Sequence, residues 1–103
     1  MLTEDQVRQD LDEIRTYYSM RDLFDKAPRE IKAEALFEKL EQYHSVMRKA
    51  PAKLYVLYVA LYVNNSTQVV VAEEWAYTKE HVRDLNKRLV EYLISKLNRE
   101  FVV

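Results

Sequence analysis

This chain of 103 residues has a run of charged side chains near residue 80. Of all its segments, this run is the one best suited to recognise another molecule. The run opens at Thr78, a residue type that favours the cap of a helix. Lysine and arginine donate hydrogen bonds to guanine, and glutamate accepts one from cytosine N4. Lys79, Arg83 and Glu80 therefore have the chemistry needed to read base edges in the major groove of DNA.

Contacts to phosphate groups are expected at both ends of the same run. Thr78 and the unpaired N–H groups of the first helical turn could hold one phosphate. Lys87 and Arg88 lie further along the helix and could follow the sugar–phosphate backbone. This division of roles is typical of a helix-turn-helix, whose second helix enters the major groove.

A short helix in front of this run would brace it. Residues 64–66 form a polar turn, and Ser66 can cap a helix over residues 67–75. Residues 76–77 form the corner, and Thr78 caps a last helix that runs to about residue 99. The core-facing residues are expected to be Val69, Ala72 and Trp75 in the first of these helices, and Val82, Leu85, Leu89, Tyr92, Leu93 and Leu97 in the second.

The string from Thr78 to Leu93 resembles the recognition helix of region 4 of bacterial σ70-type factors. The shared pattern is Ser or Thr, a basic residue, Glu, a basic residue, Val or Ile, Arg, and then leucines. Residues 67–75 resemble the supporting helix of that unit. From Leu54 to Leu93, the order of tyrosine-rich segment, polar turn and two helices resembles small phage and prophage proteins such as the ArpU-type late transcriptional regulators.

This resemblance, which covers about the last two-fifths of the chain, implies a small phage-type transcriptional regulator that binds specific duplex DNA sequences. Because one such unit buries little DNA surface, we expect a homodimer or a contact with RNA polymerase. The first helix and the apolar residues 101–103 are the expected dimer surfaces.

The family often has glycine at the corner between the two helices, where this chain has Ala76, and a positive φ would strain an alanine there. The resemblance assigns base reading to Lys79, Glu80 and Arg83, and phosphate binding to Thr78, Lys87 and Arg88.

The charge of the chain leaves other interpretations open. The net charge is −1, whereas DNA-binding domains are usually basic. Residues 79–88 can also be the solvated face of a surface helix. A module with the σ-like fold can bind RNA polymerase or another protein instead of DNA, and a purely structural helical oligomer is a third interpretation.

No stretch of the sequence has the spacing of an enzyme active site or a metal site. Glu73 and Glu74 are adjacent in a predicted helix, so their carboxylates point apart and do not form an acid–base pair. His44 has no second ligand at a suitable spacing, and the chain has no cysteine. We therefore expect a protein that is not an enzyme and that has no cofactor and no bound metal.

The composition predicts an all-α fold of about five helices in a single domain, residues 1–103. The chain has no glycine, the residue that tight hairpin turns require, and two prolines. Thr3 and Gln6 form a capping box for a first helix, from about Glu4 to about Asp25. Pro28 suits the first turn of a second helix over residues 29–49, which Pro51 ends. Residues 1–50 are thus a helical pair, and residues 51–103 are the σ-like part.

Residues 53–63 are rich in β-branched and aromatic side chains, which favour a strand. A strand would need a partner, and no other segment alternates convincingly. We therefore predict a central helix that is buried on two faces. Tyr55, Tyr58 and Tyr62 could alternatively form a stacking platform for single-stranded nucleic acid, but burial among leucines and valines is favoured.

The expected location is the cytoplasm. The acidic start of the chain does not have the pattern of a secretory signal peptide. The longest apolar run, residues 54–63, is about half as long as a membrane-spanning helix. No membrane association is expected.

Overall fold

The first helix, α1 (Glu4–Ser19), begins at the predicted capping box. The Thr3 hydroxyl accepts a hydrogen bond from the Gln6 N–H, and the Gln6 side chain accepts one from the Thr3 N–H. The computed structural model describes residues 1–21 and 31–101. Within them α1 ends at Ser19, and residues 22–25, where we expected it to continue, lie outside the described residues.

The second helix, α2 (Ile31–Met47), packs on α1. The predicted first turn around Pro28 lies outside the described residues, whereas the end of the helix lies two residues before the predicted end at Lys49. A polar cluster joins the two helices, because Lys39 Nζ lies 2.8 Å from a carboxylate oxygen of both Asp10 and Glu13. The Tyr43 hydroxyl donates a 2.7 Å hydrogen bond to Asp10 and completes this cluster.

The tyrosine-rich segment is helical, as predicted. It forms α3 (Ala52–Tyr58), which continues as a wider π turn (Val59–Val63). The Asn64 N–H donates to the carbonyl oxygen of Val59 at 2.8 Å, five residues back. The expected burial on two faces holds only in part: on the second face, which was expected to contain Tyr55, Val59 and Tyr62, Tyr62 is buried but Tyr55 is 40% exposed. The side chains of this segment that are buried are Leu57, Tyr58, Leu61 and Tyr62.

The fourth helix, α4 (Gln68–Glu74), begins one residue later than predicted. Thr67, not Ser66, caps it by accepting a hydrogen bond from the Val70 N–H. The backbone N–H of Ser66 donates instead to the carbonyl oxygen of Ala60 in the π turn. The predicted core residue Ala72 is buried, but Val69 is 44% exposed because Val71, two positions along and on the opposite side of the helix, faces the core.

The last and longest helix, α5 (Lys79–Glu100), contacts each of the other four helices. Its predicted cap and most of its predicted apolar stripe are confirmed, although Tyr92 is only half-buried. Buried apolar side chains from all five helices meet in one cluster. The described residues thus form an all-α fold of five helices without a strand, as the composition predicted.

The two ends of the described chain are tied together. The Leu2 N–H donates to the Asn98 side-chain oxygen at 2.7 Å, and the Asn98 amide nitrogen donates back to the Leu2 carbonyl at 3.1 Å. Phe101, which we expected at a dimer surface, is exposed, whereas residues 102–103 lie outside the described residues. Among the described helices, none is long and apolar enough to cross a membrane.

Candidate nucleic-acid interface

The corner between α4 and α5 has a defined backbone geometry. The N–H of Tyr77 donates to the carbonyl of Ala72 at 2.8 Å, and the N–H of Ala76 donates to Glu73 at 3.3 Å. This pair of bonds is the Schellman motif, which ends a helix with a residue in the left-handed conformation. Ala76 occupies that position with φ = 55°. Ala76 therefore has the positive φ that was expected to strain an alanine at this corner.

Substitution of Ala76 by glycine is expected to stabilise the protein by about 1 kcal/mol, because a Cβ atom is disfavoured at positive φ. The substitution Ala35→Gly is the control. Ala35 is exposed within α2, where glycine is expected to cost about 1 kcal/mol. Urea unfolding followed by circular dichroism measures both. If Ala76→Gly and Ala35→Gly lowered the free energy of unfolding by similar amounts, Ala76 would not be strained.

Aromatic contacts fix the direction in which α5 starts. The ring of Tyr77 lies 4.5 Å from that of His81 and 6.2 Å from that of Trp75, centroid to centroid, and both contacts are nearly perpendicular. Lys53 Nζ, from α3, lies 5.3 Å from the Tyr77 ring centroid, in cation–π geometry. Sequence reasoning missed this contact, because no local pattern connects Lys53 with a residue 24 positions away.

Thr78 caps α5 as predicted. Its hydroxyl oxygen accepts a 3.1 Å hydrogen bond from the His81 N–H. The hydroxyl proton can still be donated to another acceptor, such as a phosphate oxygen. All six residues predicted to contact DNA are exposed, and all lie at the cap or in the first half of the helix: Thr78, Lys79, Glu80, Arg83, Lys87 and Arg88.

The helical spacing sorts these side chains into two neighbouring rows. Lys79, Arg83 and Lys87 are four residues apart and form a basic row along α5. The second row also has a spacing of four and consists of Glu80, Asp84 and Arg88. The structure thus brings together two of the three predicted base-reading residues and one phosphate-binding residue, and it places an acidic pair directly beside them.

The electrostatics of this surface are mixed. Residues 68–91, which include α4 and most of the exposed face of α5, contain four Lys or Arg and five Asp or Glu. Two of these acids, Glu73 and Glu74, are exposed at the end of α4. Long-range attraction of a polyanion is therefore weak, and any binding of DNA must rely on the short-range contacts of the basic row.

A buried hydrogen bond sets the rotation of α5 about its own axis. The Tyr62 hydroxyl, from the π turn, donates to the side-chain oxygen of Asn86 at 2.6 Å. Both side chains are buried, and burial raises the pKa of Tyr62, so its hydroxyl keeps the proton that it donates. Sequence reasoning missed Asn86, although its place in the apolar stripe, between Leu85 and Leu89, indicates a buried residue.

The described residues contain no group of three or more His, Asp or Glu side chains placed to hold a metal ion. The chain as a whole matches no protein-family model, no curated protein and no solved structure.

Proposed function

We propose that this protein is a small transcriptional regulator of the phage type that binds specific duplex DNA sequences with a σ region 4-like helix-turn-helix. In this proposal α5 lies in the major groove and α4 is the supporting helix. The observation that supports it best is the basic row of Lys79, Arg83 and Lys87 on an exposed helix that follows a short helix at a fixed corner. The proposed location is the cytoplasm.

The proposed contacts follow from the side-chain chemistry. Lys79 and Arg83 donate to guanine, and Glu80 accepts from cytosine. The Thr78 hydroxyl and the N–H groups of the first turn of α5 bind one phosphate, and Lys87 and Arg88 bind others. Because the unit is not basic overall, useful affinity requires a homodimer or an additional contact with RNA polymerase.

The first test is selection of a binding duplex from a random pool, followed by a salt titration. Four charged phosphate contacts in a dimer predict a loss of affinity on the order of 100-fold between about 50 mM and about 200 mM salt. The absence of duplex binding at the lowest salt concentration would refute the proposal.

Single substitutions then separate base reading from phosphate binding. Arg83→Ala is expected to weaken binding by about 10- to 100-fold and to relax the preference at one base pair. Lys87→Ala is expected to weaken binding to all sequences and to reduce the salt slope by about one for each subunit, or about two for the dimer. Arg99→Ala is the control, since Arg99 is exposed in the last turn of the same helix. Equal affinities of the Arg83 and Arg99 variants would contradict the assignment of Arg83.

A second candidate function is binding to a protein, such as a subunit of RNA polymerase. The observation that favours it is the outer surface of α4, where Val69 and Val70 are exposed and are followed by Glu73 and Glu74. Apolar and acidic side chains suit a protein partner better than a phosphate backbone.

A pull-down tests this second function: the protein is immobilised, and retention of purified RNA polymerase is measured. Replacing Val69 and Val70 with serine is expected to abolish retention of the polymerase while leaving duplex binding unchanged. If the Arg83→Ala variant, and not the valine variant, failed to retain the polymerase, the contact would lie on α5.

A further inference from the structure

A cavity of about 280 Å³ lies among α1, α2, α3 and the π turn. Tyr18 from α1 and His44 from α2 form one side of it, and Tyr55 and Tyr58 from α3 form another. None of its lining residues belongs to α4 or α5, so it is separate from the proposed DNA contacts. Its volume is slightly below the range of pockets that hold drug-sized ligands, which indicates a smaller ligand.

The walls of this cavity are aromatic rings. The Tyr18 and His44 rings are stacked at 6.0 Å, with 29° between their planes. The Tyr58 ring stands nearly perpendicular to His44 at 5.7 Å. The Tyr18 hydroxyl lies 3.3 Å from His44 Nε2, which is within hydrogen-bonding distance and holds the pair in place. Such walls suit a flat aromatic ring, which can stack on one face and meet another edge-on.

A cation stands at the edge of the cavity. Arg48 lines it and is exposed; it directly follows the end of α2, four residues after His44. Among residues 1–21 and 31–101, no carboxylate forms an ion pair with the Arg48 guanidinium. A guanidinium binds a carboxylate through two parallel hydrogen bonds. The edge of the cavity therefore suits the acidic group of a ligand whose ring lies inside.

Tyr58 supplies an independent indication of a ligand. Its side chain is 1% exposed, and within the described part of the chain its hydroxyl has no hydrogen-bond partner. Burial raises the pKa of this hydroxyl, so it remains a donor at neutral pH. Folded proteins seldom leave a buried hydroxyl unsatisfied, because it has lost its hydrogen bonds to water without replacement. A ligand with an acceptor near this ring would provide the missing partner.

The π turn completes the cavity with Val59 and Val63. Such turns occur mostly as single interruptions of α-helices and are frequent at functional sites, because the extra residue displaces side chains from their α-helical positions. Here the interruption starts directly after Tyr58, at the position where α3 reaches the cavity.

We propose that this cavity binds a small planar aromatic carboxylate. The ring lies in the cavity against the aromatic side chains that line it, the carboxylate pairs with Arg48, and a polar ring substituent accepts a hydrogen bond from the Tyr58 hydroxyl. This proposal goes beyond DNA binding and is independent of it, because the binding is measured without DNA.

Isothermal titration calorimetry of the full chain with 4-hydroxybenzoate tests the site, with 4-hydroxybenzamide as a probe of similar shape that lacks the charge. The acid is expected to bind at least about tenfold more tightly than the amide, since a charge-assisted pair is lost with the amide. No binding of the acid at millimolar concentration, or equal affinities of the two probes, would overturn the proposal.

Three variants locate the binding. Arg48→Gln is expected to weaken binding of 4-hydroxybenzoate by about tenfold or more. Lys49→Gln is the matched control, because Lys49 loses the same charge but is absent from the cavity wall and lies near Glu100. Tyr58→Phe, which keeps the packing of the ring, is expected to weaken binding about fivefold or more. Equal affinities of the Arg48 and Lys49 variants would show that the acid binds elsewhere and would reject this site.

Discussion

Truncation of Leu89 to alanine is expected to lower the free energy of unfolding by about 2–5 kcal/mol. Leu89 is fully buried in α5, the helix that contacts all the others. The substitution removes apolar contacts and leaves a cavity where several helices meet. Because a domain of this size is stable by only about 5–15 kcal/mol, such a loss would remove a large part of its stability.

Two controls separate packing from helix propensity. Leu89→Met nearly preserves the side-chain volume and is expected to cost less than about 1.5 kcal/mol. Arg88→Ala changes the neighbouring exposed residue and is expected to change stability by no more than about 0.5 kcal/mol. Urea unfolding of the three variants gives the comparison. A loss for Leu89→Met as large as that for Leu89→Ala would argue against a packed core around α5.

The substitution Tyr62→Phe is expected to destabilise the protein by about 1–3 kcal/mol, whereas Tyr58→Phe is expected to be neutral or stabilising. Both tyrosines are buried in the same helical segment. The Tyr62 hydroxyl donates to Asn86, and its removal leaves a buried amide oxygen without this donor. The Tyr58 hydroxyl has no partner within residues 1–21 and 31–101, so its removal breaks no hydrogen bond there.

A double-mutant cycle tests the first half of this prediction. Replacing Tyr62 with Phe and Asn86 with Leu removes both members of the pair, and we expect a smaller loss than the sum of the single losses. Urea unfolding provides the four free energies. Additive losses would mean that the two side chains do not interact, and equal losses for the two Tyr→Phe variants would remove the contrast between their hydroxyls.

The parts of the fold that depend on neighbours in sequence could be predicted. The caps at Thr3 and Thr78 need a hydroxyl and a backbone N–H three residues later, and both were found as expected. The same rule could not identify the cap of α4, because Ser66 and Thr67 are adjacent and both carry the hydroxyl that a cap needs. In the structure the Ser66 N–H is engaged by the carbonyl of Ala60 in the π turn, and Thr67 is the cap, so that α4 begins at Gln68.

The exposure of the candidate DNA-binding residues and their two rows follow from helical periodicity, so the sequence was sufficient for them. The contacts that hold α5 could not be predicted. Lys53 with Tyr77, and Tyr62 with Asn86, join residues 24 positions apart without a local signature. The π turn was equally hidden, since residues 59–63 have side chains that an ordinary α-helix accepts.

The pairing of Leu2 with Asn98 has a consequence for how the protein is made. Its partners are separated by 96 positions, so this contact forms only after the ribosome has synthesised nearly all of α5. At about 5–20 residues per second, synthesis of the chain takes on the order of 5–20 s. During that time the apolar faces of α1, α2 and α3 have no α5 to cover them. Completion of the fold therefore follows the translation of the last helix, and until then the apolar faces that α5 covers remain open to water.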